Sequence, residues 1–218
     1  MDEMTGRTTD EDLPPASAAE SMRLIREQRA RTERSLIPDP RLIYWPWGLA
    51  WLIGFGVLFL RFGPHGTPYV DMPRWLPLTV LFSLMGVALV ISTVAGVRAG
   101  RHVTGDSSTK GLMYGLSWFL GFAGLGVTAG YISDFLPDAQ RGLLWAAASV
   151  GLVSVLYMAG AAIWSDRNMF LLGCWMGAIN IAGVLAGPGW HSLAISVAGG
   201  GGAIVAVLVQ SLRRGRGR

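Results

Sequence analysis

The 218-residue chain is 51% hydrophobic and 15% charged, with a mean hydropathy of +0.43, whereas a soluble domain carries about a quarter charged residues. Sixteen of its charged residues fall in the first 41 positions and four in the last six; the rest sit in short clusters between long uncharged stretches. This pattern excludes an ordinary soluble globular fold, a disordered protein and a disulfide-stapled secreted domain, and it specifies a multi-pass membrane protein.

The amino-terminal residues 1–16 are acidic, contain Pro14 and Pro15 and are poor in large apolar groups, so a disordered tail is expected there. Ser17-Ala18-Ala19-Glu20 has the spacing of a capping box, which predicts a basic helix from Ser17 to about Ser35. Glu27 and Arg31 support it at i,i+4, and Pro38 and Pro40 end it, so that 17–43 reads as a cytoplasmic basic helix and linker. Its arginines spread over more than half the helix circumference, which suits a topogenic charge block. A helix lying on anionic lipid, or docking a cytoplasmic partner, stays open beside that reading. No cleavable signal peptide is visible in the polar first forty residues, and the first span is expected to act as its own insertion signal.

Six apolar segments approach or reach the roughly 20 residues that a bilayer core requires. They run over about Tyr44–Leu60, Trp75–Val97, Gly111–Ile132, Gly142–Trp164, Met169–Ala186 and Ser192–Leu212. They are too long for barrel strands, so the predicted fold is all-α: a bundle of six transmembrane helices over 44–212, followed by a basic tail at 213–218. With the amino terminus cytoplasmic, the inner face collects fourteen Lys and Arg residues. Arg98, Arg101, Lys110 and Arg167 lie in its loops, and the rest flank the first span or form the tail. The outer loops hold three, Arg61, Arg74 and Arg141. This bias places both termini in the cytoplasm and the protein in the cell membrane. The net charge of +4 is thereby assigned to orientation in the lipid bilayer rather than to nucleic acid.

Trp47–Gly56 (WGLAWLIGFG) aligns with Tyr114–Ala123 (YGLSWFLGFA), matching Gly48/Gly115, Trp51/Trp118, Gly54/Gly121 and Phe55/Phe122. Duplication of the first hairpin and chance recurrence of membrane-typical residues both account for this match. A third repeat at Cys174-Trp175 is looser. Three hairpins are also the plan of the mitochondrial carriers, but the Pro-x-acidic-x-x-basic signature of their odd helices is missing.

No Asp, Glu, Lys or Arg stands at mid-depth in any span, which disfavours a carboxylate-driven antiporter, a paired-carboxylate enzyme and a metal centre. The single cysteine, Cys174, rules out a multi-thiolate site. His65 and His191 are expected on the outer side and His102 on the inner side, with no carboxylate placed to complete a motif. No nucleophile elbow or phosphate-binding loop is present, so the chain reads as a non-enzyme without a cofactor.

The conspicuous polar group in the spans is Asn180, whose amide must pair with other helices. Thr128, Tyr157, Ser154, Ser92 and Ser83 are candidate partners. One reading makes Asn180 interhelical glue. The other makes it the wall of a candidate binding cavity with Trp51, Trp118, Trp175, Tyr157, Thr128 and Gly200. Gly199–Gly202 are four consecutive glycines inside the sixth span, where each costs roughly 1 kcal/mol of helix propensity. Either this helix is central and touched on every side, the simpler reading, or it is locally unwound around a ligand.

At PDPRLIYWPWGLAWLIGFG (Pro38–Gly56) and GPGWHSLAISVAGGGG (Gly187–Gly202), the chain resembles a family of small multi-span integral membrane proteins of actinobacteria. Members are commonly described as integral membrane proteins or transporters and are sometimes encoded beside PadR-type regulators. The resemblance covers Arg26 to the end, implies a membrane protein with a transport or drug-response role, and brings no site residues. The expected function is a transporter or permease-like subunit for a small apolar or cationic molecule. The alternative is a non-catalytic scaffold or sensor that holds a cytoplasmic partner through its N-terminal helix. A homo-oligomer is compatible with either.

Overall fold

Uncharged apolar runs have one way to satisfy their backbone in lipid without an open sheet edge, which is to coil into helices. The computed structural model describes residues 17, 19–26, 40–100, 106–205 and 208, and among them there is helix and no strand. The chain divides into two units, Met1–Ile37 and Pro38–Arg218.

In the first unit, residues 19–26 are helical. Before them, Ser17 Oγ accepts from the Glu20 N–H at 3.2 Å. Residues 27–39 lie outside the described residues, and so does the expected extension to Ser35.

The second unit holds α1 (Pro40–Phe62), α2 (Leu76–Gly100), α3 (Asp106–Ser133), α4 (Asp138–Trp164) and α5 (Arg167–Ala186). These five helices are long and apolar enough to cross a membrane, and the chain is a multi-pass membrane protein. A further apolar helix, α6 (Trp190–Val205), is shorter. The turn between α4 and α5 is tight: Ser165 adopts a left-handed φ of 54°, and the Asp166 carboxylate caps α5 by accepting from the Asn168 and Met169 N–H groups. At the other end of α5, Gly187 and Gly189 take φ of 95° and 84°. A Cβ on Gly189 would run into the Gly63 carbonyl, so this turn is seated against the end of α1.

Instead of closing into a compact bundle, the helices stand in an open row, in the order α2, α1, α6, α5, α4, α3. α6, last in the chain, is central in space. The end helices are lightly covered: 11% of the spanning stretch of α2 and 6% of that of α3 are buried, against 28% for α1 and α4. Lipid explains the openness, because acyl chains solvate Leu and Phe as well as another helix does, and nothing forces the row to close. What holds neighbours together is close packing of small residues and polar bonds between helices. Trp47 donates to Ser92 Oγ (2.9 Å), Ser196 to the Leu52 carbonyl (2.6 Å), Ser154 to the Gly173 carbonyl (2.8 Å) and Tyr114 to the Leu156 carbonyl (2.8 Å). Together with the α5–α6 bonds described below, each adjacent pair of the row carries at least one such bond.

Candidate functional site

The site begins at α6, where sequence and geometry are least ordinary. Ile195–Gly201 is π-helical, a wide coil between two α-helical turns. Glycine makes the close approach of α6 to α1 feasible. A Cβ on Gly200 would lie 2.7 Å from the Gly48 carbonyl oxygen and 2.7 Å from Leu52 Cα, so the two backbones touch there. Gly199 faces the Trp51 ring, Gly202 faces Trp175 Nε1, and Gly201 has nothing nearer than Leu52 Cδ1 at 4.0 Å. Gly199 and Gly200 thus face α1 and Gly202 faces α5, while Gly201 has open space. Ser196 lies one turn before Gly200, and its hydroxyl reaches the Leu52 carbonyl on the same seam. On the opposite side, Trp175 Nε1 donates to the Ala198 carbonyl at 3.0 Å, inside the π-helical stretch.

Asn180 is buried, but none of the partners proposed from composition binds it. Its Nδ2 donates to the Ala147 carbonyl of α4 at 3.0 Å, and its Oδ1 lies 2.8 Å from His191 Nε2. The carbonyl can only accept, which places Nδ2 towards it and Oδ1 towards the imidazole. The ring nitrogen facing Oδ1 must then carry the hydrogen, so His191 is the Nε2–H tautomer. Glycines make room on both sides. A Cβ on Gly183 would stand 3.1 Å from His191 Cα, and one on Gly151 would stand 3.3 Å from Asn180 Nδ2.

His191 is the residue that sequence reasoning underrated. Expected at an outer loop, it is instead 1% exposed, and its Nδ1 has no hydrogen-bond partner among the described residues. Two other buried nitrogens are also unpartnered, Trp51 Nε1 and Arg61 Nε. A signal for the pair was present: Gly183 lies one turn after Asn180 and just before the Gly187-Pro188-Gly189 turn, which marks a place where the returning chain comes close.

The seven candidate residues do not line one cavity. Trp51, Trp175, Asn180 and Gly200 gather around α6, with Trp51 in the apolar core beside Phe55, Met176 and Ile179. Trp118 and Tyr157 belong to a separate aromatic cluster on the α3–α4 seam, with ring centroids 6.1 Å apart. There Tyr114 packs edge-on against Trp118 and Trp164, at 6.1 and 4.9 Å. Thr128 is exposed on α3. An open pocket of about 310 Å³ lies at the α4–α5 turn, lined by Ala161, Ser165, Asp166, Arg167 and Phe170 among others, and it includes none of the seven. Among the described residues no group of three or more His, Cys, Asp or Glu could hold a metal ion.

The α1/α3 sequence match has a structural counterpart. A Cβ on Gly54 would strike Leu81 of the following helix, and one on Gly121 would meet Leu152 of the following helix at 3.3 Å. Trp51 packs on Phe55 and Trp118 on Phe122. The difference is α6, which covers Gly48, while nothing lies within 4 Å of a Cβ on Gly115.

Compared with family models, curated proteins and solved structures, the chain matches none.

Proposed function

We propose that the chain is a six-span protein of the cell membrane, with both termini cytoplasmic, that acts as a transporter or permease-like subunit for a small apolar or cationic molecule. The observation that carries this reading is the π-helical, glycine-built stretch of α6 at the centre of the row, seated between α1 and α5. Irregular backbone at membrane depth is tolerated where it is enclosed by protein, and discontinuous central helices are where transporters build their sites. Glycine gives α6 a smooth seam on which to shift. The bonds of Ser196 and Trp175 to carbonyls set its resting position. Arginines flanking the first span and following the second support the orientation. The resemblance to actinobacterial multi-span membrane proteins, carried by Pro38–Gly56 and Gly187–Gly202, points the same way.

The test is uptake of tetraphenylphosphonium, a lipophilic cation, by proteoliposomes containing the full chain. Flux above that of protein-free vesicles is expected, altered severalfold by Trp175→Phe or Ser196→Ala, each of which frees α6 from one bond, the second at little change in volume. Flux equal to empty vesicles would overturn transport of this class. The scaffold reading would then stand first, supported by the helix over 19–26, which exposes Met22, Leu24 and Ile25. Deleting residues 17–37 should in that case remove function with the transmembrane domain intact.

A further inference from the structure

The outer end of α6 holds a buried ring with one hydrogen bond made and one site left open. Ala147 orients Asn180, Asn180 orients His191, and the consequence is a bare lone pair on Nδ1 with no donor facing it. With the residue 1% exposed, a ligand of several atoms has no surface from which to reach that lone pair in this state. The species that suits it is a proton.

We propose that His191 Nδ1 is a proton-binding site that couples acidity on the outer side to the position of α6. The step is simple in its balance: H+ from solvent adds to the Nδ1 lone pair, the ring becomes an imidazolium, and the Nε2–H···Oδ1 bond to Asn180 is kept. The new Nδ1–H is a donor with no acceptor in the packed state. Binding the proton therefore favours a state in which the first turn of α6 has moved away from α5 and let water in.

The charged groups on the surrounding elements reinforce this. α5 brings no ionisable residue between Cys174 and its end. α1 brings Arg61, a like charge to an imidazolium. α4 begins with Asp138 and Arg141, which pair with each other, and Arg74 of the α1–α2 loop also reaches Asp138. Asp71 lies in that same loop. None of these carboxylates bonds the ring, so among the described residues no group neutralises an added proton in the packed state. The role as a coupling site rests on the transport reading; proton binding itself does not.

The experiment uses the full chain in lipid nanodiscs, carrying His65→Gln and His102→Gln so that His191 is the one histidine, with 15N-labelled imidazole. The expected result is the neutral Nε2–H tautomer at pH 7.5, converting to the doubly protonated ring on acidification. A step in deuterium uptake by residues 187–194 should appear at the same pH. His191→Gln keeps a donor for Asn180 and does not titrate, so it should abolish the step while preserving the fold. Asn180→Asp places a carboxylate beside the ring and should move the step upwards by about one pH unit or more. A ring that is Nδ1-protonated or charged at pH 7.5 overturns the proposal, as does an exchange step that survives His191→Gln. These readouts need no transported substrate. Titration without cation flux would sink the transport reading alone, and flux without titration would sink the proton site alone.

Discussion

At the scale of single residues, the stability of this protein concentrates in a few polar atoms that lipid cannot satisfy. Asn180 serves two of them, the Ala147 carbonyl and His191 Nε2. Asn180→Leu leaves His191 Nε2 without a partner, while the Ala147 carbonyl keeps its bond within α4. The substitution is expected to cost about 1–3 kcal/mol in reversible unfolding from mixed micelles, because an orphaned buried polar group forfeits its full desolvation. Removing His191 as well, in Asn180→Leu/His191→Leu, should recover part of that loss, since one orphan disappears with its partner. Thr128→Val serves as the contrast: Thr128 faces outward, and the change should stay within about 0.5 kcal/mol. Equal costs at 128 and 180 would show that the amide does not anchor α5 to α4 and α6. The buried amide was legible in the sequence, because one Asn in an apolar run must pair with something. Its partner was not, because His191 looked like a loop residue until the Gly187-Pro188-Gly189 turn was seen to fold its helix start onto Gly183.

Between elements, the decisive quantity is how near two backbones can come. Gly200 has no room for a side chain: its Cβ would press on the Gly48 carbonyl and on Leu52 from the facing helix. Gly200→Ala should separate α6 from α1 at a cost of about 1–3 kcal/mol, since rigid backbone cannot yield as a side chain can. Its neighbour Gly201 has open space, so Gly201→Ala should be neutral or stabilising by up to about 1 kcal/mol through helix propensity. Unfolding of the two variants side by side decides the matter, and a reversed order would mean that α6 sits in another register. The same comparison applies within the α1/α3 match. Gly54→Ala meets Leu81 backbone as well as side chain and should destabilise, whereas Gly115→Ala meets nothing and should not. Hydropathy and charge located α1 to α5 to within a few residues of their ends, because burial in lipid depends on composition and length. The π-helical coil of α6 left no such trace. Four glycines announce a close approach, but whether the backbone stays α-helical depends on the neighbours that fill its sides.

For the whole molecule, the open row follows from a solvent that does not distinguish lipid tails from leucine. In water the apolar faces of α2 and α3 would be driven together; in a bilayer they stay apart unless a polar bond or a small-residue seam joins them. Among the described residues the helix-to-helix hydrogen bonds run along the row, and the Arg74–Asp138 ion pair, between the α1–α2 loop and the start of α4, is too exposed to close it. Composition therefore revealed a set of helices but not their order, since the order resides in particular pairs such as Trp47 with Ser92 and Ser196 with the Leu52 carbonyl. The arrangement makes a measurable claim. Val90 on α2 and Val127 on α3 are 62% and 76% exposed, whereas Ala88 and Val150 are 1% and 2% exposed. Nitroxides at Val90 and Val127 in nanodiscs should be mobile and relaxed by oxygen dissolved in lipid; labels at Ala88 and Val150 should be immobile and shielded. A doubly labelled chain, Val90 with Val127, diluted into unlabelled protein, should give a separation well beyond one interhelical spacing of about 8–10 Å. A closed ring of six helices would set α2 beside α3 and bring the two labels to that single spacing. That outcome would remove the open row, and with it the central place of α6 on which the transport reading depends.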